Sequence, residues 1–425
     1  MLDYCLAVTV RPLHVDELAE IFTFDFNETQ GGIPKFHAER RPNDQEEAVL
    51  STCSSLISVV SNGRSSVVQF SHLSVKEFLT STHLASSTGD LSLYHILPEH
   101  AHTILAQVCL GLLLHLDDRN YNKSAWASPL AQYAAQHWVA HAQFGDVASR
   151  VRDGMESLFD PDKPHLSAWI SRYDIVEESE LRSLSVKPTP LYYSALYGFR
   201  DLVQHLVIKH PHHVNAIGGS ERFPLFAALF RNHIKIMEIL LKHGGNVDVR
   251  DAREQTALHK TIYQKDEAAI EAMQVLLGHG ADVNARRDDL WTPLHLAVYD
   301  GTLTMVQMLL DNQADVNSRD DDGQAPLHLL SRRATFQDED TYMAKLLLER
   351  GAKVNAQDKN HNTPLHLARN WGKFEIARLL LDRGATLNAG VDNGETQPSS
   401  KVLSETNSEV RMPILSLLIG LTFPS

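Results

Sequence analysis

Between about Lys187 and Asn388 one short string returns at a nearly constant interval, and such a chain folds as a column of units that lean on one another. TPLHLA stands at Thr292–Ala297 and again at Thr363–Ala368, with weaker copies at Thr189, Phe223, Thr256 and Ala325. The shared leucines (Leu191, Leu225, Leu258, Leu294, Leu327, Leu365) step by 34, 33, 36, 33 and 38 residues. A second marker, at Asn215, Asp248, Asn284, Asn317, Asn355 and Asn388, steps by 33, 36, 33, 38 and 33. Two independent registers agree, so residues 187–389 read as six copies of one unit.

Each copy has the residues of a helix pair. Thr292 and Thr363 suit a helix cap, and Pro293 and Pro364 suit the first helical position, where no N–H is needed. Leu294, Ala297 and Val298 share one face, and a second helix follows with Met305, Val306, Leu309 and Leu310. Gly244, Gly280, Gly351 and Gly384 fall where a helix ends left-handed, and Gln313 takes that place in the fourth copy. The period and the T-P-L-H-x-A string resemble the ankyrin family. The resemblance implies that His259, His295, His328 and His366 hydrogen-bond between copies. Tyr192 and Phe226 replace that histidine in the first two copies, whose turns are expected to be held by packing.

Charge narrows the function classes. The chain carries a formal −14, with 13 Lys+Arg against 24 Asp+Glu in residues 1–185 and 26 against 29 in residues 186–425. An acidic N-terminal half repels phosphate backbones and anionic lipid, so neither nucleic acid nor membrane is the expected partner. Cys5, Cys53 and Cys109 are too scattered for a disulfide framework, which favours reduced thiols in the cytoplasm. Asp3 and Arg11 are unlike a signal peptide, and the apolar runs Val108–Leu114 and Ile414–Leu421 are too short to span a bilayer.

Residues 1–90 read as a winged-helix-like α+β unit. Leu2–Val10 suits a buried helix, and RPLHVDELAEIF suits a helix with Leu18, Ile21 and Phe22 on one side. Glu46–Val60 has the spacing of a second amphipathic helix, with Val49, Cys53, Leu56 and Ile57 inward. Asn62-Gly63 signals a turn before a VVQF strand, and FSHLSVKEFLTS passes from strand to helix. Residues 91–186 read as a helical linker domain in which Trp138, Trp169 and Trp126 seal helix contacts and DPDKP (Asp160–Pro164) is a loop. Its junction with the repeats falls near Tyr173–Pro188. His95, His100, His102 and His115 match no zinc spacing and are expected as solvent-facing or capping histidines. Residues 390–425 read as a degenerate capping repeat or a tail. The whole is mainly α.

LAVTVRPLHVDELAEI, CSSLISV and VQFSHLSVKEFL, with YHILPEHAHTILAQVCLGLLLHLDD and SPLAQYAAQHWVAHA after them, resemble the region that follows the nucleotidase core in fungal NACHT–ankyrin (NOD-like) proteins. That resemblance implies a nucleotide-sensing role for His72. The residues themselves favour a plainer part for His72, packing the hairpin onto a helix. No G-x-x-x-x-G-K-[ST] string occurs: Gly372-Lys373 is followed by Phe374, and Gly31-Gly32 is expected to have neither the lysine nor a preceding strand. The chain therefore reads as a fragment, a split product or a descendant without the motor. Neither G-x-S-x-G nor H-E-x-x-H is present, and His210, His212 and His213 suit at most an adventitious metal site. No cofactor, metal or catalytic residue is expected.

The expected function is non-enzymatic: an adaptor of NOD-like signalling whose concave ankyrin face binds a protein partner. Its candidate contacts are Arg253, Arg287, Asp288, Tyr299, Asp322, Arg332, Arg333, Lys359 and Trp371, drawn from fingertips and inner helices. Trp291 reads as a cover for its turn. Insertions at Gln264–Ala272 and Thr335–Tyr342 are expected to lengthen inter-helix loops. Two other readings stay open. One is a regulatory part of a NACHT ATPase supplied in trans, with His72 sensing nucleotide. The other is a winged-helix DNA-binding regulator controlled by its repeats.

Overall fold

The computed structural model describes residues 2–53, 56–61, 65–86, 94–115, 128–172, 189–219, 221–333 and 339–386. Two compact units divide the chain, Met1–Asn246 and Val247–Ser425. Trp126, the Tyr173–Pro188 junction and residues 390–425 lie outside the described residues.

The first unit opens with α1 (Leu2–Val8), β1 (Leu13–His14) and α2 (Val15–Glu20). A β2–β3 hairpin (Phe24–Gln30, Ile33–Phe36) and α3 (Gln45–Cys53) follow. Next come β4 (Ile57–Ser61), β5 (Ser66–Phe70), α4 (Leu73–Leu79) and α5 (Thr82–Ala85). The sheet runs β1-β5-β4, antiparallel, with Leu13 opposite Val68 and Val59 opposite Val68 on the other side. Ala7, Leu79, Leu84, Ile96 and Ala101 form one apolar cluster of the unit. The buried carboxylates of Glu17 and Glu20 are each held by an arginine: Arg11 donates to both Glu17 oxygens at 2.8 and 2.6 Å, and Arg41 to both Glu20 oxygens at 2.8 and 2.6 Å. A buried charge without such a partner would cost several kcal/mol.

Three sequence expectations change here. The helix expected over Glu46–Val60 ends at Cys53, and Ile57–Ser61 is a strand. Its β-branched ISVVS run fits a pleated surface better than a helix. The β2–β3 hairpin was not expected at all; it turns on Gly31 and Gly32, both at positive φ. Leu18 and Ile21 face inward as expected, while Phe22 stays half exposed.

The helical region holds α6 (Pro98–Leu113), α7 (Ala131–Ala142), α8 (Val147–Arg150), α9 (Arg152–Leu158) and α10 (His165–Arg172). Trp138 and Trp169 are buried edge to face with ring centres 5.1 Å apart, and Trp138 stacks on Phe199 of the first repeat at 5.5 Å. The tryptophans therefore seal helix contacts, and carry the seal into the repeat. Among the four histidines expected at the surface, His102 departs: it is half-buried, and its Nδ1 lies 2.8 Å from Nδ1 of the fully buried His141.

Helix pairs Pro190–Leu196/Arg200–Lys209 and Pro224–Phe230/Ile234–Lys242 complete this unit. Tyr192 does more than pack. Its hydroxyl accepts the Glu221 N–H at 3.1 Å, and its ring lies so close to Gly218 and Gly219 that a Cβ there would meet it.

The second unit carries four more pairs: Ala257–Ile262/Glu267–Gly278, Pro293–Asp300/Leu303–Asp311, Pro326–Arg332/Glu339–Glu349 and Pro364–Asn370/Phe374–Asp382. The asparagine marker now has a physical reason. Asn317 donates to the Gly351 carbonyl at 3.0 Å and accepts the Lys353 N–H at 2.9 Å, so one amide satisfies a helix end and a turn in the next copy. Asn284 and Asn355 do the same for Gln313 and Asp315, and for Gly384 and Thr386.

The TPLH histidine is an N3 acceptor. Thr292 N–H and Oγ–H both donate to His295 Nδ1, at 3.2 and 2.8 Å, so the ring proton sits on Nε2, which donates to the Gln324 carbonyl at 3.2 Å. His259 and His328 donate likewise to the Trp291 and Ala356 carbonyls, at 3.1 and 2.9 Å. Thr363 was expected to cap an N–H; its hydroxyl goes to His366 Nδ1 instead, at 2.8 Å.

Each insertion goes with a longer second helix, and in the fifth copy the connection 333–338 is also longer than the 301–302 of the fourth, with 334–338 outside the described residues. Gln264–Ala272 extends the second helix of its copy to twelve residues, capped by Asp266, with Ala269 and Ala272 buried. Thr335–Tyr342 supplies the start of Glu339–Glu349, and with it the buried Asp340; residues 334–338 are outside the described set.

Gln313 adopts φ 67°, where Gly280, Gly351 and Gly384 have 80°, 88° and 86°. Gln313→Gly should therefore raise the unfolding free energy by about 0.5–1 kcal/mol. Thermal unfolding checks this, and a lower melting temperature would contradict it.

Candidate functional site

The loops before the inner helices of the third, fifth and sixth copies are four-residue turns built around an aspartate. Asp320 Oδ1 accepts the amides of Asp322 and Gln324 at 3.0 and 2.7 Å, and Asp358 and Asp251 hold their own turns in the same way. Neighbouring turns are then tied by backbone bonds. Asp288 N–H donates to the Arg253 carbonyl at 3.2 Å, Asp321 N–H to Asp289 at 3.3 Å, and Lys359 N–H to Asp322 at 2.9 Å.

In the fourth copy Arg287 stands where the third, fifth and sixth have aspartate. It forks onto Asp289 with two bonds of 2.6 Å, donates to the Tyr263 hydroxyl at 3.0 Å, and lies 4.7 Å over the Trp291 ring. Burial opposes the charge on Arg287, yet the Asp289 carboxylate keeps its pKa above the usual guanidinium value. Burial likewise opposes the Asp289 charge, and Arg287 holds that carboxyl below the ordinary range. Trp291 is half-buried and meets Tyr299 edge to face at 5.3 Å. Gln255, itself buried, donates to Tyr263 at 3.2 Å.

These residues open onto a cleft of about 380 Å³ lined by Arg253, Gln255, Arg287, Asp288, Asp289 and Asp321. Three of the residues expected from sequence, Arg253, Arg287 and Asp288, thus meet in one place. Tyr299 adjoins them through Trp291 and is 44% exposed. Asp322 and Lys359 continue the same row of tips and are exposed. Trp371 is also exposed, at the end of the last inner helix.

Arg333 is the clear correction. It is buried, with its guanidinium 3.3 Å from Asp340, whose other oxygen takes the buried Lys373 ammonium at 2.6 Å. It serves the interior and presents nothing to a partner. Arg332 is half-buried, and its Nε is buried with no hydrogen-bond acceptor. Sequence reasoning missed Gln255 and Tyr263, while Asp289 and Asp321 fall within the fingertips expected at Arg286–Leu290 and Arg319–Gly323. The available signal was positional: Tyr263 and Tyr299 each follow the shared leucine by five residues, as Arg332 does.

His72 is exposed, so it does not pack the hairpin. Its Nδ1 accepts the Ser74 N–H at 3.2 Å and so caps α4. Among the described residues, no group of three or more His, Cys, Asp or Glu could hold a metal ion, although the His212 and His213 rings are 4.2 Å apart. No described helix is long and apolar enough to cross a membrane.

Residues 191–287, 266–358 and 294–391 match the family described as ankyrin repeats (3 copies), and residues 2–89 match the winged-helix domain of GPI inositol-deacylase. No curated protein matches the chain. Among solved structures, an ankyrin repeat domain from Acinetobacter baumannii is 26% identical, with a TM-score of 0.43, covering 46% of this chain and 98% of its own. The chain thus carries an ankyrin-repeat array, a protein-interaction module, behind an N-terminal winged-helix domain.

Proposed function

We propose that this chain is a non-enzymatic adaptor that holds a protein partner on the tips and inner helices of its third to fifth repeats, within a NOD-like signalling system of the NACHT–ankyrin kind. The observation that carries this reading is the cleft beside Tyr263, Trp291 and Tyr299. Arginine and aromatic side chains dominate the energetics of protein interfaces, and here they are held in place by mutual contacts. Leu290 adds to it. It is 37% exposed and sits at φ 60°, a left-handed conformation costing about 1–2 kcal/mol in a leucine. The conformation belongs to the turn, since Glu254, Gly323 and His361 hold the same position at φ 58°, 74° and 60°.

The test is selection of binders to the full-length chain from a displayed library. A doubly substituted chain, Arg253→Glu with Tyr299→Ala, removes two exposed side chains. Binders should lose about tenfold or more in affinity, as expected for about 1.4 kcal/mol at a contact that matters. Binders indifferent to both changes would place the interaction elsewhere.

A further inference from the structure

Within the turns 251–254, 287–290, 320–323 and 358–361, five exposed charged side chains have no ion-pair partner among the described residues: Arg253, Asp288, Asp321, Asp322 and Lys359. Arg286 and Arg319, each just before its turn, are exposed as well, and Arg319 donates to the Gly323 and Gln357 carbonyls. The inner charge pair, Arg287 with Asp289, neutralises itself. Within the turns themselves the remaining charges are ordered, positive at Arg253, negative through Asp288, Asp321 and Asp322, and positive again at Lys359, with Arg286 and Arg319 alongside. The backbone bonds between tips fix this order: Arg253 is joined to Asp288, and Asp322 to Lys359, each by one bond.

The spacing follows from the packing. Packed helices lie about 8–10 Å apart, so Asp288 and Asp321, at the same position of successive copies, are separated by about that much. An extended chain advances about 3.3–3.6 Å per residue, so the separation equals about three residues. One backbone rung, about 5 Å, takes the row from each end cation to its neighbouring carboxylate, or one to two residues of a bound strand.

We propose that the occupant of this face is an extended peptide segment with two basic residues three apart and an acidic residue just outside each of them. The bases meet Asp288 and the Asp321–Asp322 pair, and the acids meet Arg253 and Lys359. This rests on the reading of the tips as a binding face, and it adds the chemistry of what binds. A purely basic segment is disfavoured by Arg253 and Lys359, and a purely acidic one by the three carboxylates between them. The pattern therefore selects by register and not by net charge.

The test uses the full chain and three labelled synthetic peptides at low salt, read by fluorescence anisotropy. The first is Ser-Glu-Ser-Lys-Ser-Ser-Lys-Ser-Glu-Ser, the second exchanges every Lys and Glu, and the third has the same composition with the lysines adjacent. The first should bind about tenfold or more tighter than either other. In a chain with Asp288→Lys and Asp321→Lys, the first peptide should lose its advantage, because its lysines then meet lysines, with an unchanged melting temperature.

Equal binding of the three peptides to the natural chain, or binding of none, would overturn the proposal without needing the variant. Library binders that are lost in the Arg253→Glu/Tyr299→Ala chain yet unaffected at Asp288 and Asp321 would keep the binding face and reject this occupant. A chain that yields no binder at the tips rejects both.

Discussion

Asp340→Ala is expected to lower the unfolding free energy by about 3–5 kcal/mol, the cost of leaving buried charge uncompensated. Asp340 is the anion between Arg333 and Lys373, at 3.3 and 2.6 Å, and the three side chains are only 7, 4 and 3% exposed. Removing it takes away the carboxylate that these two buried cations share. A useful contrast is Asp300, which pairs with Lys265 at 2.6 Å but with both side chains above 40% exposed. Asp300→Ala should cost under about 1 kcal/mol, because water screens that pair. Urea unfolding of the two variants separates the cases, and a near-neutral Asp340→Ala would show that the triad is not sealed.

Acid should unfold the repeat array well before its carboxylates protonate. Burial drives the imidazoles of His259 and His295 down to about 4, with the carbonyls of Trp291 and Gln324 opposing. Burial lowers His328 as well. A histidine held neutral in the folded state binds its proton only on unfolding. Its contribution is therefore present above about pH 6.5, the unfolded value, and is lost as the pH falls toward 4. At pH 5 this amounts to about 2 kcal/mol each for His259 and His295, about 4 together, and His328 acts in the same direction. Asp320, raised by burial, works the other way, but it is one group against three. Melting curves at pH 7 and pH 5 decide the matter. Unchanged stability over that interval would mean that the Nδ1 acceptors tolerate protonation.

The repeat was legible because the same local physics recurs in every copy, so each weak signal is confirmed by its neighbours. The threonine–histidine and asparagine bonds are visible as letters. The N-terminal elements lack that redundancy. Ile57–Ser61 is a short apolar run whose strand or helix state depends on what lies beside it, here β5. Arg333 illustrates the limit for the site. Its position on an inner helix suggests exposure, but its burial is decided by Asp340, which enters through a helix extension peculiar to its copy. Arg287 shows the reverse case. It was named as a contact; it lines the cleft, and it is also the clamp that fixes Tyr263, Trp291 and Asp289 around it.

The backbone rungs joining Arg253 to Asp288, Asp289 to Asp321 and Asp322 to Lys359 bear on the thermodynamics of association. Loops that must stiffen on contact lose conformational entropy at that moment, and complexes formed this way are weakened accordingly. Here the receptor side has already lost it during folding. For the extended peptide proposed above, the entropic loss on association would therefore fall mainly on the peptide, and stiffening it in its extended form should gain more than any further change to the tips themselves.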